Sequence, residues 1–157
     1  MPLNKEDKKS IIKYRVEKAH KTMIEARDCA TMGHWTLAAN RLYYTLFHIS
    51  NALLVDKGMF AKTHAGVIAK INEHFVKTGI LSKDEGRTIS ILQNMRQSGD
   101  YDDCFEWSEE DVFPFFKRTE ELLLKILLGI LCLWTLESFF LVRAQEVMPV
   151  LIQTGTS

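Results

Sequence analysis

Three residue types are scarce in this chain of 157 residues, which has three cysteines, three prolines and eight glycines. So little glycine and proline argues against a collagen-like or low-complexity chain. Cys29, Cys104 and Cys132 form no Cys-x-x-Cys pair, which argues against a disulfide framework and gives no support for a zinc site. Because 46% of the residues are apolar and 25% are charged, the chain can bury a core, and we expect one compact domain.

The sequence also lacks the motifs that cradle a phosphate or activate a nucleophile. It holds no P-loop, G-x-G-x-x-G, G-x-S-x-G or H-E-x-x-H. Asp100, Asp102 and Asp103 imitate the start of a calcium loop, but Cys104 stands at the fifth position, which argues against calcium. We therefore predict no bound metal and no cofactor.

A long uncharged apolar run is lacking too. In residues 122–142, 16 of 21 residues are apolar, but Lys125 and Glu137 leave an uncharged run of only 11 residues, 126–136. As a helix this run would be about 17 Å long, well short of the bilayer's hydrocarbon thickness of about 30 Å. A buried or dimer-forming helix end is therefore favoured, and membrane contact is the alternative. The start, MPLNKEDKKS, is charged where a secretory signal is apolar, so we expect a cytoplasmic protein.

Charge is unevenly distributed although the net charge is zero. Residues 1–98 carry 16 basic and nine acidic side chains, residues 99–121 carry two and nine, and the remaining charges balance. A basic face of this kind could bind nucleic acid or nucleotide phosphates. Dispersed charge more often means that the basic and acidic parts pair within the fold or face solvent.

Apolar residues recur with helical spacing along the chain, and no segment reads as a convincing strand. The first three predicted helices are 6–32, 35–57 and 63 to about 78. Gly33 and Gly58 end the first two in left-handed caps, and Gly79 is the stop of the third. Thr63 is the predicted N-cap of the third. One apolar stripe marks the second helix as the central one: Leu42, Leu46, Ile49 and Leu53.

Two more helices are predicted in the second half of the chain. Ser82 and Glu85 have the spacing of a capping box, so a fourth helix begins there and ends at Gly99. A loop follows, and a fifth helix starts near Ser108 or, as Pro114 favours, three residues later. The fold class is therefore all-α, an antiparallel up-and-down helical bundle of four to five helices.

Three polar residues of the second helix share one face, since Arg41, Tyr44 and His48 are spaced i, i+3 and i+7. Arginine can hold a phosphate through two donors, and histidine can exchange a proton near neutral pH, as RNA cleavage by 2′-hydroxyl attack requires. The commoner alternative is a structural network, in which Arg41 pairs with an acidic loop residue and His48 bonds to another helix.

A second polar patch lies at the predicted end of the fourth helix. There Gly99 would let the chain turn and bring Asp100 and Tyr101 back toward Arg96. Such an arginine–aspartate pair is commonly a structural lock. The functional alternative is a polar cleft in which Arg96 meets phosphate and Tyr101 stacks on a base. His64, at the start of the third helix, is a candidate for either patch.

Three motifs in fixed order carry a family resemblance. They are Ala39-Asn40-Arg41-Leu42-Tyr43-Tyr44-Thr45-Leu46-Phe47-His48, then Thr63-His64-Ala65-Gly66-Val67, then Arg96-x-x-Gly99-Asp100-Tyr101. Together they resemble the N-R-x-Y-Y-x-x-F-H, T-H-x-G-[VI] and R-x-x-[AG]-D-Y motifs of a prokaryotic subfamily of the HEPN-domain family. The resemblance implies a helical bundle, here residues 1–125, that often dimerises. Residues 126–157 form an apolar C-terminal extension without a counterpart.

The resemblance also implies a chemistry and partners. Some HEPN proteins are toxins with a late Arg-x(4–6)-His motif, paired across a dimer as a metal-independent ribonuclease site, and others only bind nucleotide or RNA. Here the late arginine matches Arg96, but no histidine follows at that distance. The resemblance makes Arg96 and Tyr101 the catalytic candidates. The ligand-binding candidates are Arg41, Tyr44, His48, His64 and Asp100.

Many family members work beside a minimal nucleotidyltransferase, which in some pairs adds AMP to a tyrosine near the ribonuclease motif. Tyr101 occupies that neighbourhood and is the predicted site of modification. We therefore expect a homodimer that binds RNA or a nucleotide and acts with such a partner in a toxin–antitoxin or stress-defence module. Ribonuclease activity is left open, and the alternative is a non-enzymatic adaptor that binds a nucleotide or partner protein.

Overall fold

The computed structural model describes residues 3–101 and 106–132, which form five helices without a strand among them. The helices are α1 (Lys5–Thr31), α2 (Trp35–Asp56), α3 (His64–Ile71), α4 (Lys83–Tyr101) and α5, which begins as Glu109–Val112 and, beyond a turn at Phe113, continues over 114–132. A short turn at Gly33 joins α1 to α2, so these two helices run antiparallel. The predicted all-α bundle is confirmed.

Glycines reverse the chain after each of the first three helical segments. The φ angles of Gly33, Gly58 and Gly79 are +76°, +71° and +80°, in the region that favours glycine. The predicted stops are therefore confirmed.

Helix α2 is the centre of the bundle, since it contacts α1, α3, α4 and α5. The predicted apolar stripe from Leu42 to Leu53 is buried, and Tyr43 beside it has no exposed surface. One polar pair lies in the α1–α2 interface, where the hydroxyls of Thr22 and Thr45 are 3.0 Å apart. Each hydroxyl has one proton, so one of the two donates to the other, and that other donates to a carbonyl of its own helix; this buried pair is therefore satisfied.

The third predicted helix is shorter than the sequence indicates. Thr63 caps α3 as predicted, accepting a hydrogen bond from the Gly66 amide at 3.0 Å. Regular α-helix ends at Ile71, however, and a wider π-helical turn follows over Asn72–Val76. This turn packs against α4 at Gly86, where an added Cβ would lie only 2.8 Å from Val76. The prediction of one regular helix to about residue 78 is therefore wrong, because a π-helical turn packed on α4 replaces its last turns.

Helix α4 begins as predicted but ends later. The Ser82 amide donates to the Glu85 carboxylate at 2.6 Å and the Glu85 amide donates to the Ser82 hydroxyl at 3.1 Å, which confirms the capping box. The helix then continues through Gly99 to Tyr101, so the predicted stop at Gly99 is wrong. An added Cβ on Gly99 would lie 2.6 Å from the Thr36 methyl group. Gly99 therefore serves the close approach of α4 to α2 rather than a chain reversal.

The start of α5 is the earlier of the two alternatives. The Ser108 side chain accepts from the Asp111 amide, and the Asp111 carboxylate accepts from the Ser108 amide. The later start favoured by Pro114 is therefore wrong. The turn at Phe113 resolves the conflict, because Pro114 then stands at the first residue of the next helical segment, where an amide proton is not needed.

The second part of α5 packs along the bundle and crosses residue 125 without a break. Ile126 and Ile130 are buried in the core. Lys125 bonds to Glu85 of α4 at 2.8 Å. No helix within 3–101 and 106–132 has the length and apolar character that crossing a membrane requires. Residues 133–157, which hold most of the predicted extension, lie outside the described residues.

Candidate functional site

A cation-rich cavity of about 310 Å³ lies between α1 and α2 and is called the basic cleft below. It is lined by Lys18, Lys21, Thr22 and Glu25 of α1 and by Asn40, Arg41, Tyr44 and His48 of α2. Three of these side chains are permanent cations at neutral pH and only Glu25 is an anion. The cleft therefore presents positive charge to a ligand.

Arg41 occupies the wall of the basic cleft formed by α2. Its Nη1 donates to the Glu25 Oε2 at 3.3 Å, and its guanidinium carbon lies 5.5 Å from the centre of the Tyr44 ring. Its partner thus belongs to α1, so the expectation of an acidic loop residue is wrong. A guanidinium group has five N–H donors. Among the described residues only Glu25 accepts a hydrogen bond from Arg41, so most of these donors remain available to an anion.

His48 is bonded to another helix. Its Nδ1 lies 3.1 Å from the Nη1 of Arg15 on α1. Arginine can only donate, so Nδ1 accepts and the ring proton is on Nε2. Burial, together with the charges of Arg15 and Lys18 and the nearby His64, lowers the pKa of His48 to about 4. In this arrangement His48 is a neutral hydrogen-bonding group at pH 7 and not a proton donor for catalysis.

A second cluster of polar groups surrounds Arg96 where α4 crosses α2, and is called the arginine cluster. Arg96 Nε lies 2.9 Å from the Asp100 Oδ2, and Asn40 Nδ2 donates to the Asp100 Oδ1 at 3.0 Å. The Nε–H is not aimed at the carboxylate, so the contact is ionic. The Arg96 guanidinium carbon lies 5.9 Å and 5.8 Å from the centres of the Tyr43 and Tyr44 rings.

The pair of Arg96 and Asp100 forms differently from the sequence expectation. The two residues are one helical turn apart on continuous α4, so no reversal at Gly99 brings them together. The Arg96 side chain is only 17% exposed, and the pair also ties α4 to α2 through Asn40. These contacts are the ones expected of a structural lock, an ion pair that holds neighbouring helices together.

His64 joins the arginine cluster from α3. Its Nδ1 lies 2.7 Å from the Tyr43 hydroxyl, and its ring stacks on Phe47 with centres 4.2 Å apart. Burial raises the pKa of Tyr43 to about 12, against the opposing effect of Arg96. Burial and the Arg96 charge lower the pKa of His64. The hydroxyl therefore donates and the histidine ring is neutral.

The site residues predicted from sequence fall into these two neighbourhoods. Arg41, Tyr44 and His48 line the basic cleft, and Arg96, Asp100 and His64 belong to the arginine cluster. Tyr44 contacts both arginines, so the neighbourhoods adjoin through its ring. Tyr101 is the last residue of α4, and its side chain lies outside the described residues.

The sequence prediction missed the contribution of α1. Arg15 of this helix bonds to His48. Lys18, Lys21 and Glu25 are three of the four charged side chains that line the basic cleft, and they are spaced i, i+3 and i+7 on one helix face. That spacing is a signal, but only the pairing of α1 with α2 shows which face meets Arg41. Within the described ranges, no group of three or more His, Cys, Asp or Glu side chains could hold a metal ion.

Comparison with known proteins identifies the family. Residues 12–128 match the family described as the HEPN domain. This chain belongs to the HEPN family. Both the basic cleft and the arginine cluster lie within the matched part of this HEPN protein.

Individual relatives cover much of the same region. A protein of Thermotoga maritima named "UPF0332 protein" is 34% identical over 114 residues, which are 73% of this chain and 86% of that protein. Two proteins of Methanocaldococcus jannaschii named "Putative toxin" are 31% and 41% identical over 61% and 41% of this chain. These matches cover 65% and 48% of the two archaeal proteins.

Proposed function

We propose that this HEPN protein is toxin-like and binds RNA or a nucleotide through the basic cleft. The observation that carries the proposal is the cleft itself, where Lys18, Lys21 and Arg41 surround a cavity with a single carboxylate, Glu25. Such cations attract phosphate groups, and arginine can contact two phosphate oxygens at once. The names of the two archaeal relatives support a toxin-like class.

If the protein is a ribonuclease, Arg96 and Tyr101 are the residues proposed to contact the phosphate that reacts. An arginine can stabilise the negative charge that develops when a 2′-hydroxyl attacks phosphorus. Proton transfer needs a second group, and the lowered pKa values of His48 and His64 keep both rings neutral without ligand. A bound phosphate would raise both pKa values, because a nearby negative charge favours the imidazolium form.

A non-enzymatic adaptor is the second candidate function. Asp100 already neutralises Arg96 at 2.9 Å, and Asn40 holds that carboxylate from α2. An arginine engaged in this way is a less effective catalyst than one facing the cavity. In this case the basic cleft would bind a nucleotide or an acidic partner without cleaving anything.

The two functions are separated by one experiment on purified protein with EDTA present. Labelled single-stranded RNA is assayed for binding by anisotropy and for cleavage on gels, with wild type, Arg41→Ala and Arg96→Ala. Arg27→Ala is the matched control, because its guanidinium pairs with Glu120 on the exposed surface, away from both neighbourhoods. The proposal expects binding that Arg41→Ala weakens and Arg27→Ala does not.

Cleavage identifies which candidate function applies. Cleavage lost in Arg96→Ala supports a ribonuclease, whereas RNA binding without cleavage supports the adaptor. Cleavage lost only in Arg41→Ala would move the reacting site to the basic cleft. If RNA and adenosine 5′-monophosphate (AMP) both fail to bind wild-type protein, the proposed function is wrong.

A minimal nucleotidyltransferase is the proposed partner, and Tyr101 is the proposed target. In this reaction the Tyr101 hydroxyl would attack the α-phosphate of ATP, forming an AMP ester and releasing pyrophosphate. Intact-mass measurement after incubation with ATP and the cognate transferase should show a mass increase of one AMP group. The shift should disappear in Tyr101→Phe, and a shift that persists there would exclude this tyrosine.

A homodimer is also proposed. Leu124, Leu128 and Leu131 form an exposed apolar stripe at i, i+4 and i+7 on α5, the spacing of a helix–helix contact. Light scattering should give twice the chain mass for wild type and a smaller mass for Leu128→Glu. A monomeric wild type would remove this part of the proposal.

A further inference from the structure

The ring of His64 is held on three sides by aromatic residues of α2. The Tyr43 hydroxyl lies 2.7 Å from its Nδ1, and Phe47 stacks on its face at a centre-to-centre distance of 4.2 Å and an angle of 20°. Tyr44 meets the ring nearly edge-on, with centres 5.9 Å apart. A partly buried ring with three such neighbours has one favoured orientation.

The Tyr43 contact also determines which ring nitrogen carries the proton. Tyr43 has no exposed surface, and His64 is the hydrogen-bond partner of its hydroxyl within 3–101 and 106–132. A phenol this deeply buried retains its proton and donates it, so Nδ1 accepts and Nε2 carries the ring proton. In the same described ranges, Nε2–H has no acceptor. The ring therefore offers one oriented, unused donor.

Arg96 offers further donors beside the same aromatic pair. Its guanidinium carbon lies 5.9 Å from the centre of the Tyr43 ring and 5.8 Å from that of Tyr44. The His64 ring centre lies 5.7 Å and 5.9 Å from the same two points. Asp100 engages Arg96 at Nε, and neither Nη makes a hydrogen bond to another described residue.

We propose that the Nε2–H of His64 and the Nη groups of Arg96 together bind a phosphate oxygen, and that Tyr43 is the positioning residue that keeps the His64 proton on Nε2. This inference rests on the proposed function, because it names the group of the RNA or nucleotide that enters the arginine cluster. The phosphate could be a nucleotide monoester or an RNA phosphodiester, since both present the same oxygen acceptors. Arg96 would then contact both the phosphate, through its Nη groups, and the Asp100 carboxylate, at Nε.

The role of Tyr43 follows from the chemistry of the two tautomers. Without the hydroxyl, Nδ1 loses its donor, and the proton can occupy either nitrogen. The fraction of molecules with an outward Nε2–H donor then falls, although the ring remains stacked on Phe47. Tyr43→Phe should therefore weaken phosphate binding without removing a group that touches the ligand.

Nitrogen-15 NMR of the full chain labelled at histidine tests the inference directly. The two ring nitrogens of a neutral histidine differ strongly in shift, so the spectrum reports the tautomer, and His64→Gln identifies the resonances. AMP supplies the monoester probe, and the dinucleotide ApA, with one phosphodiester, supplies the other. We expect the Nε2–H form in wild type and a shift of both His64 nitrogens on addition of at least one probe.

Tyr43→Phe should show mixed tautomers and an affinity for the responding probe that is lower by about twofold, because only the molecules with the Nε2–H form bind the phosphate and the apparent affinity scales with their fraction. Tyr14→Phe removes the same hydroxyl from an exposed position on α1 and should match wild type in both respects. A response to AMP alone indicates a monoester site, and a response to ApA indicates that the site accepts a phosphodiester.

Two results would overturn the inference, and neither requires Tyr43→Phe to fold. The first is a wild-type His64 with its proton on Nδ1. The second is a His64 spectrum that saturating AMP and ApA leave unchanged while RNA still binds in a manner sensitive to Arg41→Ala. The second result leaves the proposed function intact. Absence of any RNA or nucleotide binding to wild type would instead remove both.

Discussion

The two arginines beside Tyr44 occupy contrasting surroundings. Arg41 is about one-third exposed and makes a 3.3 Å contact with Glu25 at the edge of a cavity. Arg96 is half as exposed, lies against two tyrosine rings, and makes a 2.9 Å contact with Asp100. Arg41 can therefore bind an anion with little rearrangement. Arg96 stabilises the fold, and a ligand that binds there must share its positive charge with Asp100.

The largest expected effect is on stability, where substitutions of the two arginines should differ most. Arg96→Ala leaves the Asp100 carboxylate without its cation and opens a gap beside Tyr43, so we expect the free energy of unfolding to fall by about 2 kcal/mol. Arg41→Ala removes a more exposed pair and should cost less than about 1 kcal/mol. Urea unfolding of the two variants measures both changes. Equal losses would contradict the assignment of Arg96 to a structural lock.

The next effect is a loss of stability in acid. The pKa of His48 is lowered to about 4 and that of His64 is lowered too, whereas both titrate near 6.5 in the unfolded chain. The unfolded chain therefore binds more protons below pH 6.5, and stability falls as the pH drops from about 7 to 4. Allowing for solvent at these partly buried rings, we expect a loss of about 1–2 kcal/mol.

Urea unfolding at pH 7.5 and pH 5 measures this loss. His48→Gln keeps an acceptor for Arg15 but cannot titrate, so its stability should depend less on pH over this range. Stability that stays constant or rises on acidification would show that the histidines are not held neutral in the fold. Burial acts to raise the pKa of Glu85, but its bonds to Lys125 and Ser82 together lower it, so this group adds a further loss only at more acidic pH.

A smaller expected effect is on ligand affinity, and it tests whether Arg96 binds a phosphate. Asp100→Asn removes the charge that competes for Arg96 and keeps an oxygen that can accept from Asn40. We expect the affinity for AMP to rise about threefold, because Arg96 is then shared with a neutral group. Asp28→Asn, an equal change of charge at an exposed position on α1, should have a smaller effect. An unchanged affinity in Asp100→Asn would show that no ligand phosphate meets Arg96.

Local signals predict most of the fold. The spacing of Leu42, Leu46 and Ile49 reports a buried helix face, and the glycine stops and the Ser82 capping box depend on residues within one turn. The exceptions depend on contacts between helices. Gly99 reads as a stop in isolation, but its missing side chain accommodates Thr36 of another helix. The π-helical turn likewise lies against Gly86.

The same distinction between local signals and contacts between helices applies to the candidate site. Helical spacing alone places Arg41, Tyr44 and His48 on one face. It cannot show that Lys18 lies across the cavity from them, because that requires the pairing of α1 with α2. Nor can it show that the Tyr43 hydroxyl meets His64, since α3 must first dock on α2. Sequence therefore predicts groups within one helix, and the fold supplies their partners.

The salt dependence of RNA binding tests the central claim, that the basic cleft contacts phosphate, most directly. Each phosphate contact releases counterions, so losing one contact lowers the slope of log affinity against log salt by about 0.7 for single-stranded RNA. We predict that Arg41→Ala lowers the slope by about this amount, while Arg27→Ala leaves it at the wild-type value. Equal slopes for wild type and Arg41→Ala would contradict the claim.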